Sequence, residues 1–197
     1  LERKTTLPEL VLATRNENKI IEIKAMIGDL TKIQTITNFV KIDIPEVGRS
    51  LLENSIAKAT FVYKLYNKPT LADDSGLFVS SLNGKPGVYS SRYGKNDEER
   101  ITRLLGNLSG VKEREAAFRV VFVYYYAPGK YETFAGECVG SIARAARGSE
   151  GFGYDPVFIP KGYRKTFAEL GPQIKNQISH RANGLKKFRQ YLARNIS

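Results

Sequence analysis

Two runs near the middle of the chain narrow the choice of fold more than any other feature. REAAFRVVFVYYY (114–126) and KYETFAGECVGSIA (130–143) are each long enough for an extended strand, and only Ala127-Pro128-Gly129 separates them. β-branched and aromatic residues are frequent in both, and Pro-Gly is turn chemistry, so the pair predicts an antiparallel hairpin with long arms. Ahead of it the pattern is different. LVLAT (10–14) reads as a short buried strand, residues 18–29 as a helix with Ile20, Ile23, Ile27 and Leu30 at helical spacing, and IQTITNFV (33–40) as a second strand. Ser50 to Asn67 predicts a strong helix, with a capping box from Ser50 and Glu53 and an apolar stripe of Leu52, Ile56, Ala59, Tyr63 and Tyr66. TLADDSGLFV (70–79) predicts a third strand that ends in a turn, and NDEERITRLLGNL (96–108) a helix with acids in its first turn, as the helix dipole prefers. VFIP follows the hairpin, and a last helix covers most of 179–194. Strands that alternate with helices and then give way to a long hairpin predict an α/β fold with a mixed sheet. A length of 197 residues suits one domain spanning 1–197.

Composition limits the function classes. Hydrophobic residues make up 42% of the chain, enough for a real core. No apolar run is long enough to span a bilayer, and LERKTTLPEL has no signal-peptide core, so a cytoplasmic protein is expected. Cys138 is the only cysteine, which excludes an intrachain disulfide and predicts a small core residue. Lys and Arg number 31 against 20 Asp and Glu, a net charge of +11 that favours anionic partners such as nucleic acid, nucleotides or a membrane surface. The densest basic run, Lys186, Lys187, Arg189 and Arg194, reads as a solvated helix face, and the tyrosines at 124–126 as core and sheet surface rather than a base-stacking platform.

Six places carry chemistry. Thr14-Arg15-Asn16-Glu17-Asn18-Lys19 lies between the first strand and the first helix, where a helix N-terminus offers backbone N–H groups to phosphate and Lys19 adds a point charge. Asp73 and Asp74 are adjacent between apolar neighbours. On a regular strand they point to opposite faces, so Ser75-Gly76 is expected to break the strand and bring both carboxylates to one Mg²⁺. Glu46, in IDIPEVG, is a loop acid that gains interest if its loop covers that pair. Lys58 lies on the flank of the apolar stripe, placed to snorkel to solvent or to reach into a cleft. GSEGFGYDPVF (148–158) surrounds Phe152, Tyr154 and Asp155 with glycines that permit close backbone approach. In Lys175-Asn176-Gln177-Ile178-Ser179-His180-Arg181, Ser179 reads as an N-cap, so His180 and Arg181 fall in a first turn that disfavours cations unless an anion or a base edge lies beside them.

Taken together the set resembles the inosine triphosphate pyrophosphatase family, the non-standard purine NTP pyrophosphatases. The resemblance rests on T-x-N-x-x-K at 14–19, ENSIAKA at 53–59, ADDSGL at 72–77, PGVYSSRY at 86–93, GFGYDPVF at 151–158 and ISHRA at 178–182, in that order over nearly the whole chain. It implies Mg²⁺-dependent hydrolysis of ITP, dITP and XTP to the monophosphate and pyrophosphate. It implies too a long mixed sheet with flanking helices, two lobes around a central cleft, and a homodimer, with no polynucleotide or membrane as partner. Thr14, Asn16 and Lys19 would hold the triphosphate along with their loop neighbours Arg15, Glu17 and Asn18, and Ser75 would touch phosphate. Glu46 and the aspartate pair would serve the metal. Asp74 matches the base that activates water, with Asp73 beside it, and an exchange of the two parts stays open. Lys58 matches an active-site lysine. Phe152 would stack on the base, Gly153, Tyr154 and Asp155 would line its pocket, and Lys175, His180 and Arg181 would read the keto edge. Arg15 stands where many members have glycine, and Gly184 where alanine is common. A nucleic-acid-binding module and an enzyme for altered pyrimidine triphosphates are the competing readings.

Overall fold

A computed structural model of the chain describes residues 8–36 and 48–195. In chain order the elements are β1 (Glu9–Leu12), α1 (Glu17–Ile27), β2 (Lys32–Thr35), α2 (Leu51–Tyr66), β3 (Thr70–Val79), β4 (Pro86–Gly87), α3 (Asp97–Asn107), β5 (Glu115–Ala127), β6 (Lys130–Ile142), β7 (Phe158–Pro160), α4 (Phe167–Ile178) and α5 (His180–Asn195). The strands form one mixed sheet in the order β2-β1-β3-β5-β6-β7, with β4 paired to β3. The α/β class and the long β5–β6 hairpin agree with expectation. The second strand was expected over 33–40, of which 37–40 lie outside the described residues.

The chain divides into two compact units. One runs to Asp73 and takes in Phe122–Phe134 and the chain from Leu185; the other comprises Asp74–Val121 and Ala135–Gly184. In the first unit β1 pairs in parallel with β2 and with β3, placing Leu12 opposite Thr35 and Leu71. Its Leu10, Val11 and Leu12 are buried in succession, as a strand covered on both faces requires. Asn16 caps α1, whose Ile20, Ile23 and Ile27 turn inward. Tyr124, Phe134, Phe188 and Tyr191 form an aromatic cluster with Tyr124–Phe188 and Phe134–Phe188 centroids 5.2 and 5.3 Å apart, in which Tyr124 is half-buried.

The second unit has its own core, built from residues such as Leu77, Leu104, Phe118, Cys138, Phe158 and Phe167. Burial pushes the Cys138 thiol up to about 11, which leaves it an inert core residue. Here β3 pairs antiparallel with β4, and β6 with β7.

Three expectations are corrected. First, β3 does not break: Thr70–Val79 is one ten-residue strand running through both aspartates. Gly76 serves close packing instead, because a Cβ there would collide with the Gly87 carbonyl. Ser90 Oγ secures the same place, accepting from the Leu77 N–H at 2.8 Å and donating to the Gly87 carbonyl at 2.6 Å. Second, α2 buries Leu51, Asn54, Ser55, Lys58, Ala59 and Val62, while Leu52 is exposed. The inward face is turned from the apolar stripe because it carries polar side chains. Ser50 caps the Glu53 N–H as expected, but the Glu53 carboxylate takes the N–H of Arg49 rather than that of Ser50. Third, α4 was not expected. Gly171-Pro172 reads as a breaker, and Gly171 is indeed non-helical (φ 77°) within it. The signal that could have found it is the capping box Thr166-x-x-Glu169, which is fully formed.

Candidate active site

The sequence-predicted residues fall into two sets, one in each unit. In the first unit the chain leaves β1 and turns into α1 through the Thr14–Lys19 loop. The Thr14 hydroxyl accepts the Asn16 N–H at 3.2 Å, and Asn16 Oδ1 accepts the Lys19 N–H at 3.1 Å. These side chains shape the loop and take up two of its N–H groups, while the dipole at the helix start favours an anion. Arg15, Glu17 and Asn18 are exposed around it. Lys19, in the first turn of α1, reaches Asp73 on the neighbouring strand with Nζ 2.8 Å from Oδ2, and the aspartate side chain is 2% exposed. Lys58 is buried at 5% exposure, so it does not snorkel to solvent.

Asp73 and Asp74 are 3% and 7% exposed. β3 continues through both residues. Asp73 meets Lys19, and Asp74 opens the second unit. The donor chemistry suits a hard divalent cation, since Mg²⁺ takes one or two carboxylates and completes its shell with water and phosphate oxygens. Among the described residues no three or more His, Cys, Asp or Glu side chains gather as a metal cluster, and Glu46 lies outside them.

In the second unit the loop before β7 presents Phe152. Its N–H donates to Asp155 Oδ2 at 2.9 Å, and the same oxygen accepts from Lys175 Nζ at 2.5 Å. Lys175 and Asp155 are both almost fully buried, and their opposite charges meet directly. The Lys175 ammonium stands 4.2 Å and the Arg181 guanidinium 5.3 Å from the Phe152 ring centre. Arg181 Nη2 donates to the Ser75 hydroxyl at 3.1 Å. Ser179 caps α5 as expected, accepting the Ala182 N–H, and this sets His180 and Arg181 in the first turn, 3% and 4% exposed. The His180 ring stacks on Phe118 at 4.8 Å with an interplanar angle of 13°.

Tyr154 sits differently from its neighbours. Its side chain is 5% exposed, packs in the core and donates to the Ser90 carbonyl at 2.9 Å, and burial drives its hydroxyl far above the usual tyrosine range. Gly153 donates its N–H to Asp97 Oδ2 at 2.7 Å. Ser90 and Asp97 are supporting residues that sequence reasoning missed. Asp97 looked like an acid placed for a helix dipole, and nothing in its neighbourhood in sequence signals a bond 56 residues away.

The chain matches the model of the Ham1 family over residues 10–191. It is 43% identical over 193 residues to a dITP/XTP pyrophosphatase of Aquifex aeolicus, covering 91% of this chain and 94% of that one. A dITP/XTP pyrophosphatase of Porphyromonas gingivalis is 42% identical, covering 94% and 98%. Among solved structures, a HAM1 protein from Coxiella burnetii superposes with a TM-score of 0.88 at 40% identity, covering 95% of this chain and all of that one. The Staphylococcus aureus Ham1 protein gives 0.85 at 38% identity, covering 94% and 98%.

Proposed function

The chain belongs to the Ham1 family, and from that premise we propose that it is a nucleoside triphosphate pyrophosphohydrolase. It takes non-standard purine nucleotides, ITP, dITP and XTP, to the monophosphate and pyrophosphate. Relatives named dITP/XTP pyrophosphatase, aligned over nearly the full length of both chains, support this reading. The single observation that carries the base specificity is Phe152 flanked by two buried cations, Lys175 and Arg181. Both are donors with no acceptor capacity. They satisfy the 6-keto oxygen of hypoxanthine or xanthine, whereas the 6-amino group of adenine would face them with another donor. A buried donor left unmade costs about 1–3 kcal/mol, so two or three of them discriminate strongly.

The loop Thr14–Lys19 binds the triphosphate through backbone N–H groups and the Lys19 ammonium, which Asp73 orients. Lys58 adds a second cation, and the Ser75 hydroxyl, held by Arg181, contacts a phosphate oxygen. Asp74 takes a proton from water as its oxygen attacks the α-phosphorus. The bond from that phosphorus to the bridging oxygen of the β-phosphate breaks, and pyrophosphate leaves with the electron pair. Glu46 and Asp74 would hold Mg²⁺, which when bound neutralises charge on the polyphosphate. Asp73 is given to Lys19 rather than to the ion because its Oδ2 already meets that ammonium at 2.8 Å. The enzyme acts in the cytoplasm as a homodimer, as the family resemblance implies.

The test is incubation with Mg²⁺ and ITP, XTP, GTP or ATP in parallel, with pyrophosphate and orthophosphate assayed separately. Pyrophosphate from ITP and XTP, and hardly any from ATP, is expected. Orthophosphate alone would refute attack at the α-phosphorus, and equal turnover of ATP would refute the keto-edge assignment.

A further inference from the structure

We propose that Asp97 is a positioning residue for base recognition: its carboxylate holds the loop that presents Phe152 and Asp155. This rests on the assignment of that loop to the base, given above. Residues 143–154 belong to no helix or strand, and left-handed glycines flank Phe152, with φ 82° at Gly151 and 64° at Gly153. The bond from Phe152 N–H to Asp155 closes this turn only upon itself. Toward α3 it is tied by Gly153 N–H donating to Asp97 Oδ2 at 2.7 Å, beside the Tyr154–Ser90 bond at 2.9 Å, and toward α4 by Lys175 on Asp155 and by Glu150 N–H on the Ala168 carbonyl at 3.3 Å.

The carboxylate is not needed where it stands in α3. Asn96 caps that helix, its Oδ1 accepting the Glu99 N–H at 2.9 Å. Asp97 instead divides its two oxygens, Oδ2 to Gly153 and Oδ1 to Arg100 at 2.6 Å. Arg100 is fixed in turn by the Gly94 carbonyl at 3.2 Å. The loop is thus fastened by an oriented, charge-assisted hydrogen bond, the stronger kind. Because Asp155 Oδ2 carries both the Phe152 N–H and the Lys175 ammonium, movement of the loop displaces the stacking ring and a keto-edge donor together. Asp97 touches neither base nor phosphate; it acts through Gly153.

The experiment compares wild type, Asp97→Ala and Asp97→Asn. In Asp97→Ala, KM for ITP and the inhibition constant of IMP should each rise roughly tenfold, with kcat within about threefold, since the lost bond orders the base site. Inhibition by pyrophosphate, which has no base, should not change. Asp97→Asn keeps an acceptor for Gly153 and should recover most of the loss. Amide hydrogen exchange over residues 151–155 should quicken in Asp97→Ala and lie between the two in Asp97→Asn, a readout that needs no turnover. Unchanged exchange in both variants, or IMP and pyrophosphate weakened alike, would overturn the proposal. A wild type that releases no pyrophosphate from ITP would overturn the proposed function, while the exchange data would still decide whether Asp97 holds the loop.

Discussion

Asp74 and Lys175 show how differently two buried charges can be used. Asp74→Asn keeps shape and removes the proposed proton acceptor, so at saturating Mg²⁺ turnover of ITP should fall by roughly 10²–10⁴, the usual worth of a general base, while ITP binding stays within a few-fold. Single-turnover kinetics with equilibrium binding would check it, and near-wild-type turnover would remove Asp74 from the role of base. Lys175→Met removes the ammonium that Asp155 Oδ2 meets in a nearly fully buried place. Breaking one side of such a pair costs about 3–5 kcal/mol, and at this chain length that lowers the melting temperature by roughly 6–20 °C. Asp155→Asn added to Lys175→Met should restore part of the loss. A thermal melt of Lys175→Met within a degree or so of wild type would contradict that cost. Residue types and their order were legible in the sequence, down to the Ser179 cap that places His180 and Arg181. Their partners were not. That Asp73 answers Lys19, or that Asp155 holds both Lys175 and the Phe152 amide, follows from contacts between segments distant in the chain, which no local spacing encodes.

At the scale of elements, the hairpin, α1, α3 and α5 were readable because their periods and caps agree with their burial. α4 was missed outright, and α2 and β3 were placed correctly but misread in one respect each, for a chemical reason. The stripe read for α2 assumes that the buried face is the apolar one, yet Asn54, Ser55 and Lys58 face inward and Leu52 and Leu65 face out. The strand break read at Ser75-Gly76 assumes that glycine bends the chain, whereas Gly76 admits the backbone of β4. Gly136 on β6 has a similar part to play for α5. A Cβ there would collide with the His180 carbonyl and the Gly184 N–H, backbone groups that no rotamer change can move aside. Gly184 is the α5 residue whose backbone comes closest to Gly136 after the His180 carbonyl. Gly136→Ala should therefore cost about 1–3 kcal/mol and shift His180 and Arg181, lowering the preference for ITP over ATP. Gly106→Ala, where nothing lies within 4 Å of the added carbon, is the control and should be neutral or stabilising by up to about 1 kcal/mol. Denaturant melts and the ITP-to-ATP ratio of kcat/KM on both variants would decide it; equal effects would mean that the β6–α5 approach does not set the base site.

For the whole molecule the balance of charge is the property with a consequence for rate. The sequence carries +11, an excess to which paired charges add nothing. Arg189 is bound twice by Asp29 at 2.6 Å, and Lys68 by Glu9 at 2.6 Å, so these surface pairs cancel locally and add little to stability. What remains is a net positive field acting on a substrate with several negative charges, the condition under which diffusion is steered and screened by salt. With Mg²⁺ held constant, kcat/KM for ITP should fall roughly three- to tenfold as KCl rises from about 0.02 to 0.3 M, while kcat changes little, because steering acts on encounter and not on the bound complex. The same charge raises the competing expectation of polynucleotide binding, which would show a steep log–log dependence on salt. Adding single-stranded DNA to the low-salt assay separates them. Undiminished ITP turnover at DNA concentrations well above that of enzyme assigns the charge to substrate capture. Competitive inhibition that vanishes with salt would instead place a polyanion on the same positive surface, and a kcat/KM indifferent to KCl would show that the charge steers neither.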